Sequence, residues 1–226
     1  MNTLFSTNEF VRAIKVELPE AIKELEVPAR TIVSFDEMDV CYIIISGIVE
    51  GYIKRTMETK SDQVYSFFTE GDIVGFGQIF DDFKGMIFET LTTTKVYAIK
   101  KEDLEYLLSF PHNAPFIYYI MKRLSSHYYL KSLLSIRSKE NVLVQCMFNL
   151  SYLLDSNVES AHFVKLPKEY THTRLMEYST LSQGGFYKHL DLLYKDQIIF
   201  KDGANIVVDI TKMRELHPAT IPSYLK

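Results

Sequence analysis

The spacing of hydrophobic and polar positions changes character several times along this chain. Met1–Leu25 mixes the two kinds and predicts a helix around Glu9–Val16. From Val27 to Ile99 short runs rich in β-branched and aromatic residues take over: Thr31–Phe35, Cys41–Ile45, Ile48–Lys54, Val64–Phe68 and Thr93–Ile99. Acidic and glycine breaks separate them at Asp36-Glu37, Ser46-Gly47 and Glu70-Gly71-Asp72. Strands so spaced, without long helices between them, predict an antiparallel sandwich or roll. Gly47 and Gly71 fall where tight turns need a permissive backbone.

Helical spacing returns at Lys101. Lys101–Ser109 predicts a short helix that stops near Pro111, and a longer one begins after Pro115. In it Ile117, Ile120, Met121, Leu124, Tyr128 and Leu134 recur at helical intervals through about Ile136. A stripe this apolar needs a partner, and a two-fold mate is expected, with those six residues as the dimer interface. Lys131 interrupts the stripe, and aromatic residues such as Phe116, Tyr118 and Tyr129 widen it. Packing of the helix on its own domain is the other reading. Asn141–Leu154 predicts a further amphipathic helix and His162–Leu166 a strand.

The most telling stretch is Thr171–Val208. Thr171 is placed to cap a short helix, and after a break at Ser179-Thr180-Leu181, Ser182 is placed to cap a second with Phe186, Leu190 and Leu193 on one face. Two helices with so tight a break predict a helix-turn-helix, whose second helix can enter a DNA major groove. Ile198–Phe200 and Ile206–Val208 then flank an Asp202-Gly203 turn, predicting a hairpin and so a winged form of the motif. If Ser182 is the cap, Gln183, Gly184, Tyr187 and Lys188 are the exposed positions. Gln pairs bidentately with adenine and Lys reaches guanine or phosphate. Thr171, His172 and Thr173 at the amide end of the first helix, and Lys201 on the wing, are the candidate phosphate contacts. Gly184-Gly185 makes the second helix start weak, because each glycine costs about 1 kcal/mol against alanine.

Composition changes this picture little. The chain has 226 residues, 47% of them hydrophobic, enough for two domains with a good core. A net charge of −4 looks wrong for a nucleic-acid binder. From Lys139 onward, however, there are ten Lys/Arg and ten Asp/Glu, so the earlier part carries all of the deficit. Two cysteines, Cys41 and Cys146, lie in apolar runs and read as buried thiols of a reducing compartment. No run is long enough to span a membrane and Met1–Glu20 lacks a signal-peptide core, so a cytoplasmic protein is expected. No catalytic constellation stands out. The six histidines (112, 127, 162, 172, 189 and 217) lack metal spacing, and Gly71–Gly77 lacks both G-x-G-x-x-G spacing and the Lys-Ser/Thr of a phosphate loop. No metal or cofactor is expected.

The order of parts resembles the Crp/Fnr regulators, the family of the cyclic-AMP receptor protein, from about Val27 to Val208. The most specific residues are Gly47 in Ile-Ser-Gly-Ile-Val and the run Gly71-Asp72-Ile73-Val74-Gly75 followed by Phe80. The resemblance implies an α+β fold: an N-terminal cyclic-nucleotide-binding-like β-roll over residues 1–110, a dimerisation helix and linker over 111–138, and a winged helix-turn-helix over 139–226. It also implies a homodimer on a palindromic site in double-stranded DNA, with RNA polymerase as a partner. Half-sites would lie ~34 Å apart on a symmetric dimer.

The departures from the family pattern are chemical. Where cyclic-nucleotide binders place a Glu for the ribose hydroxyls, this chain has Phe76. The segment that should carry an Arg for the cyclic phosphate, Asp82–Ile87, offers only Lys84. A small Thr-Ser pair on the long helix is replaced by His127-Tyr128. Cyclic AMP and cyclic GMP are therefore not expected to bind tightly. An iron–sulfur cluster is disfavoured because Met1–Ala29 has no cysteine. A haem would need an axial ligand such as His127 or His112, and a lone histidine more often packs. Two readings of the roll stay open. Phe76, Gln78, Phe83, Lys84, His127 and Tyr128 line a pocket for an unidentified small-molecule effector, or the aromatics fill it. A β-roll dimer scaffold acting through protein partners is the alternative to a DNA-binding role.

Overall fold

The computed structural model describes residues 7–33, 40–54, 62–76, 86–154, 158 and 161–220, the side chains from residue 9 onward. The first helix, α1 (Thr7–Glu17), is followed by a single 3-10 turn at Pro19–Ala21. Among the described residues eight strands come next: β1 (Ile22–Val27), β2 (Ile32–Val33), β3 (Val40–Ser46), β4 (Val49–Ile53), β5 (Gln63–Phe68), β6 (Ile73–Val74), β7 (Met86–Thr90) and β8 (Thr94–Lys100). They form two four-stranded sheets, in the orders β1-β8-β3-β6 and β2-β7-β4-β5. This is the antiparallel roll expected from the strand pattern.

Three of these strands escaped the sequence reading. β1 pairs with β8 from Ile22↔Ile99 to Val27↔Thr94, yet its four central residues are exposed, so an edge strand of this kind shows no alternation. β6 is two residues long, too short to leave a period. β7 lies between β2 and β4, with Phe88 opposite both Val33 and Gly51. Phe35 lies outside the described residues, so β2 is seen only as Ile32–Val33.

Gly47 closes the β3–β4 turn at φ 107°, and a Cβ there would meet Thr94 Cα at 2.8 Å. Both space and conformation therefore require glycine at this position. The helices follow: α2 (Lys101–Ser109), the long α3 (Ala114–Ile136) and α4 (Val142–Leu154). A core of the first unit gathers Phe10 and Ile14 of α1, Cys41 and Ile43 of β3, Leu104 and Leu107 of α2, and Phe116 and Ile120 of α3.

The chain divides into two compact units, Met1–Lys54 with Ser66–His127, and Arg55–Tyr65 with Tyr128–Lys226. The division falls inside α3 rather than at 110 and 138. The reason is packing: Phe116 and Ile120 belong to the core of the first unit, while Leu130 accepts a hydrogen bond from Asn149 of α4 at 2.6 Å.

In the second unit β9 (Phe163–Lys165), α5 (His172–Ser179), α6 (Gln183–Lys195), β10 (Ile199–Asp202), β11 (Asn205–Asp209) and α7 (Ile210–Leu216) complete the chain. The strands form one sheet in the order β10-β11-β9. The α7 helix, capped by Asp209 Oδ1 accepting from Lys212 N at 2.8 Å, was not anticipated.

Candidate nucleic-acid interface

Both expected caps are in place. Thr171 Oγ1 accepts from Arg174 N, and Ser182 Oγ accepts from Gly185 N, each at 3.4 Å. Between the helices Thr180 takes φ 58°, the left-handed conformation that ends α5 and turns the chain into α6. Phe186, Leu190 and Leu193 are buried, as their spacing predicts. Gln183, Gly184, Tyr187 and Lys188 are exposed on the opposite face, and Asp191 joins them one turn on. Nothing lies within 4 Å of a Cβ built on Gly184.

His172 is not a free surface histidine. Its ring packs against Phe186 at 5.9 Å and Tyr187 at 5.8 Å between centroids, tying the first turn of α5 to the first turn of α6. The wing turns at Gly203, with φ 63°, and Asp202 pairs with Asn205 across it. Asp202 Oδ2 is held by Lys165 Nζ at 2.7 Å. That pair cancels the acidic charge of the wing and leaves Lys201 without a carboxylate partner among the described residues.

A cavity of about 250 Å³ lies between the wing and the start of α5. Thr171, His172 and Lys201, far apart in sequence, line it together. Lys168, Tyr194 and Asn205 line it too, and sequence reasoning missed all three. The overlooked signal for Lys168 is its position three residues ahead of the Thr171 cap, within reach of the helix start. Here α5 presents its first amides, which have no intrahelical acceptor, beside two lysines. Such a place favours an anion. Thr173 is exposed on the same first turn but does not line the cavity.

Of the six candidate effector residues, Phe76, His127 and Tyr128 are among the described residues, and they have different surroundings. Phe76 is 6% exposed and lies in the apolar core with α1 and α2, so the side chain standing where a ribose-binding Glu is expected points into packing. His127 is 2% exposed with both ring nitrogens engaged: Nδ1 with Ser66 Oγ at 2.6 Å and Nε2 with Asp72 Oδ1 at 3.1 Å. Its ring also packs on Phe68, 4.5 Å between centroids. Tyr128, one residue on, is 68% exposed, because consecutive helical residues point about 100° apart. Gln78, Phe83 and Lys84 lie outside the described residues.

Asp72 anchors this interior. Arg123 Nη2 stands 2.6 Å from Oδ1, and Thr69 N donates to Oδ2 at 2.8 Å. Burial pushes its carboxyl up, but His127, Arg123 and the Thr69 amide outweigh it and hold it below its ordinary range. His112, the other histidine considered for haem, meets Glu17 Oε1 through Nε2 at 2.9 Å. That contact and a bond from Asn113 hold Glu17 below its usual range.

The α3 stripe is narrower than its periodicity implied. Ile117, Met121 and Tyr128 are exposed at 39%, 49% and 68%. Ile120 and Leu134 are 1% and 5% exposed within the chain's own packing, which corrects their assignment to a dimer face. Leu124 is partly buried against the core of the first unit. Ile136, 73% exposed, extends the open side instead.

Among the described residues no group of three or more His, Cys, Asp or Glu is placed to hold a metal, and no helix is long and apolar enough to cross a membrane.

Residues 28–109 match the cyclic nucleotide-binding domain family. Beyond that domain the resemblance is one of fold along nearly the whole chain. A cyclic nucleotide-binding domain containing protein from Listeria monocytogenes EGD-e aligns over 91% of this chain and 99% of its own, with a TM-score of 0.74 at 14% identity. The c-di-GMP responsive global regulator CLP of Xanthomonas campestris aligns over 88% and 99%, with a TM-score of 0.65 at 22% identity. A Crp/Fnr family transcriptional regulator from Thermus thermophilus aligns over 87% and 98%, with a TM-score of 0.61 at 15% identity. No curated protein sequence matches the chain. Residues 28–109 thus resemble a cyclic nucleotide-binding domain, and the chain shares the fold of solved Crp/Fnr regulators.

Proposed function

We propose that this protein is a sequence-specific, DNA-binding transcriptional regulator that acts as a homodimer on a palindromic site and is not switched by cyclic AMP. The observation that carries the reading is the cavity shared by Lys201 of the wing with Thr171 and His172 of α5, next to the exposed polar face of α6. A phosphate held there would set the register, leaving Gln183, Tyr187 and Lys188 to meet base edges. Thr173 and Ser182 flank the same helix starts. The exposed Ile117, Met121 and Tyr128 of α3 support a two-fold mate. RNA polymerase is the expected partner once DNA is bound.

The interior of the roll supports independence from cyclic nucleotides. Phe76 is used in the core, and His127 is held by Ser66 and Asp72. These placements favour a roll filled by its own side chains over one that holds an effector.

Genomic pull-down with the purified protein tests the function. Enrichment of palindromic promoter fragments is expected. Recovery no better than that of random sheared DNA would overturn the reading in favour of a β-roll scaffold acting through protein partners.

A further inference from the structure

Lys131 breaks the apolar pattern of α3, and the second unit puts that interruption to use. Its Nζ donates to the carbonyl oxygen of Val64 in β5 at 2.6 Å and to that of Tyr178 near the end of α5 at 2.6 Å. It also lies 4.5 Å from the centroid of the Tyr178 ring. No carboxylate pairs with it among the described residues. Three elements distant in sequence therefore meet on one amine. At the preceding residue, Asn149 Nδ2 donates to Leu130 O at 2.6 Å, fixing α4 to the same stretch of α3.

An ammonium taken from water without a counter-ion loses solvation that carbonyl dipoles and a ring face return only in part. The uncharged amine carries no such cost and still has two N–H donors for the two carbonyls. Burial accordingly brings the Lys131 pKa down to about 8, with Cys146 acting in the opposite direction.

We propose that Lys131 is a proton-linked lock: the end of α5 is held most firmly against α3 and β5 when Lys131 is neutral, and uptake of a proton loosens it. Released from this site, the amine meets water and regains the ordinary lysine value of 10.5, so raising the pH between about 8 and 10.5 favours the docked arrangement. Among the described residues, Cys146 on α4 and Tyr178 on α5 face Lys131 directly, and Tyr65 on β5 stands near Tyr178 and near Tyr128 of α3. Burial pushes Cys146 up to about 12 and raises Tyr178 and Tyr65 above the usual tyrosine range. Those three keep their protons from pH 7 to 9. The lock rests on the DNA-binding reading for its consequence, because α5 carries the Thr171 cap that faces the candidate phosphate site.

Hydrogen exchange of the DNA-free, full-length protein tests it, read by mass spectrometry on peptides covering His172–Ser179. After correction for the base-catalysed intrinsic rate, the opening constant of α5 is expected to fall about tenfold between pH 7 and pH 9. Lys131→Met, of similar length and uncharged, is expected to show no such slope. A flat wild-type profile, or the same slope in the variant, would overturn the proposal. Should Lys131→Met lack a cooperative thermal transition, Lys131→Gln takes its place under the same two criteria. DNA binding is measured separately by fluorescence anisotropy on selected fragments. A slope without DNA binding keeps the lock and removes the regulator reading, whereas DNA binding without a slope does the reverse.

Discussion

Asp72 Oδ1 stands 3.1 Å from His127 Nε2 and 2.6 Å from Arg123 Nη2, so one buried carboxylate joins the turn after Gly71 to two successive turns of α3. Its other oxygen accepts from Thr69 N, and His127 passes the connection on to Ser66 of β5. The Gly71-Asp72 turn thus anchors the long helix.

Replacing this carboxylate should be costly. Breaking a buried ion pair costs about 3–5 kcal/mol, and the third of Arg123 left exposed puts Asp72→Asn near the lower end, about 3 kcal/mol. Because the folded-state value of Asp72 is depressed, its contribution is complete above the unfolded value near 3.8 and is lost as pH falls through the folded value. Urea titrations at pH 7 and pH 3 check both points. The stability gap between wild type and Asp72→Asn should shrink at the lower pH.

Thr180 offers the opposite change. A β-branched residue at φ 58° bears a steric cost of roughly 1–2 kcal/mol, partly offset in glycine by its greater freedom when unfolded. Thr180→Gly is expected to stabilise the protein by about 0.5–1 kcal/mol, read as a raised urea midpoint. A lowered midpoint would show that the hydroxyl or methyl group contributes more than the turn costs.

Two substitutions separate the roles within the interface. Gln183→Ala should cost ~1–3 kcal/mol of DNA binding and relax preference at one base-pair position. Lys201→Ala should weaken all sequences alike and reduce the slope of log affinity against log salt by about 1. If Gln183→Ala alters neither affinity nor preference, the register assigned to α6 is wrong.

Gly184 has open space around its missing side chain. Gly184→Ala should therefore favour α6 by up to about 1 kcal/mol without disturbing the fold. Anisotropy then distinguishes two uses of the glycine. Weaker DNA binding by the more stable variant means that the duplex approaches this backbone closely, and tighter binding means that α6 gains from being pre-formed.

For the roll, calorimetry with cyclic AMP and cyclic GMP is expected to give no binding in the micromolar range. Phe76 and His127 serve intrachain packing, and removing either partner of a desolvated phosphate contact costs several kcal/mol, on the order of 3–5. A micromolar dissociation constant for either nucleotide would refute cyclic-nucleotide independence.

What this sequence determined alone is what depends on near neighbours. Caps, helical periods and turns act over four residues or fewer, so Thr171, Ser182, the buried face of α6 and the glycine turns at 47, 71 and 203 were legible. So was the run of strands that makes a roll. The tertiary structure decided what depends on partners far along the chain. Periodicity marks Ile117 and Ile120 alike as apolar, and only packing turns Ile120 into the core while leaving Ile117 in the open. β1 and β7 needed their pairing strands to be seen, since a mostly exposed edge or a five-residue run carries too weak a pattern. Lys201 and Thr171 are 30 positions apart, and His127 and Ser66 are 61 apart. No local pattern encodes such meetings, because folding free energy ties these positions together through the whole core rather than along the chain.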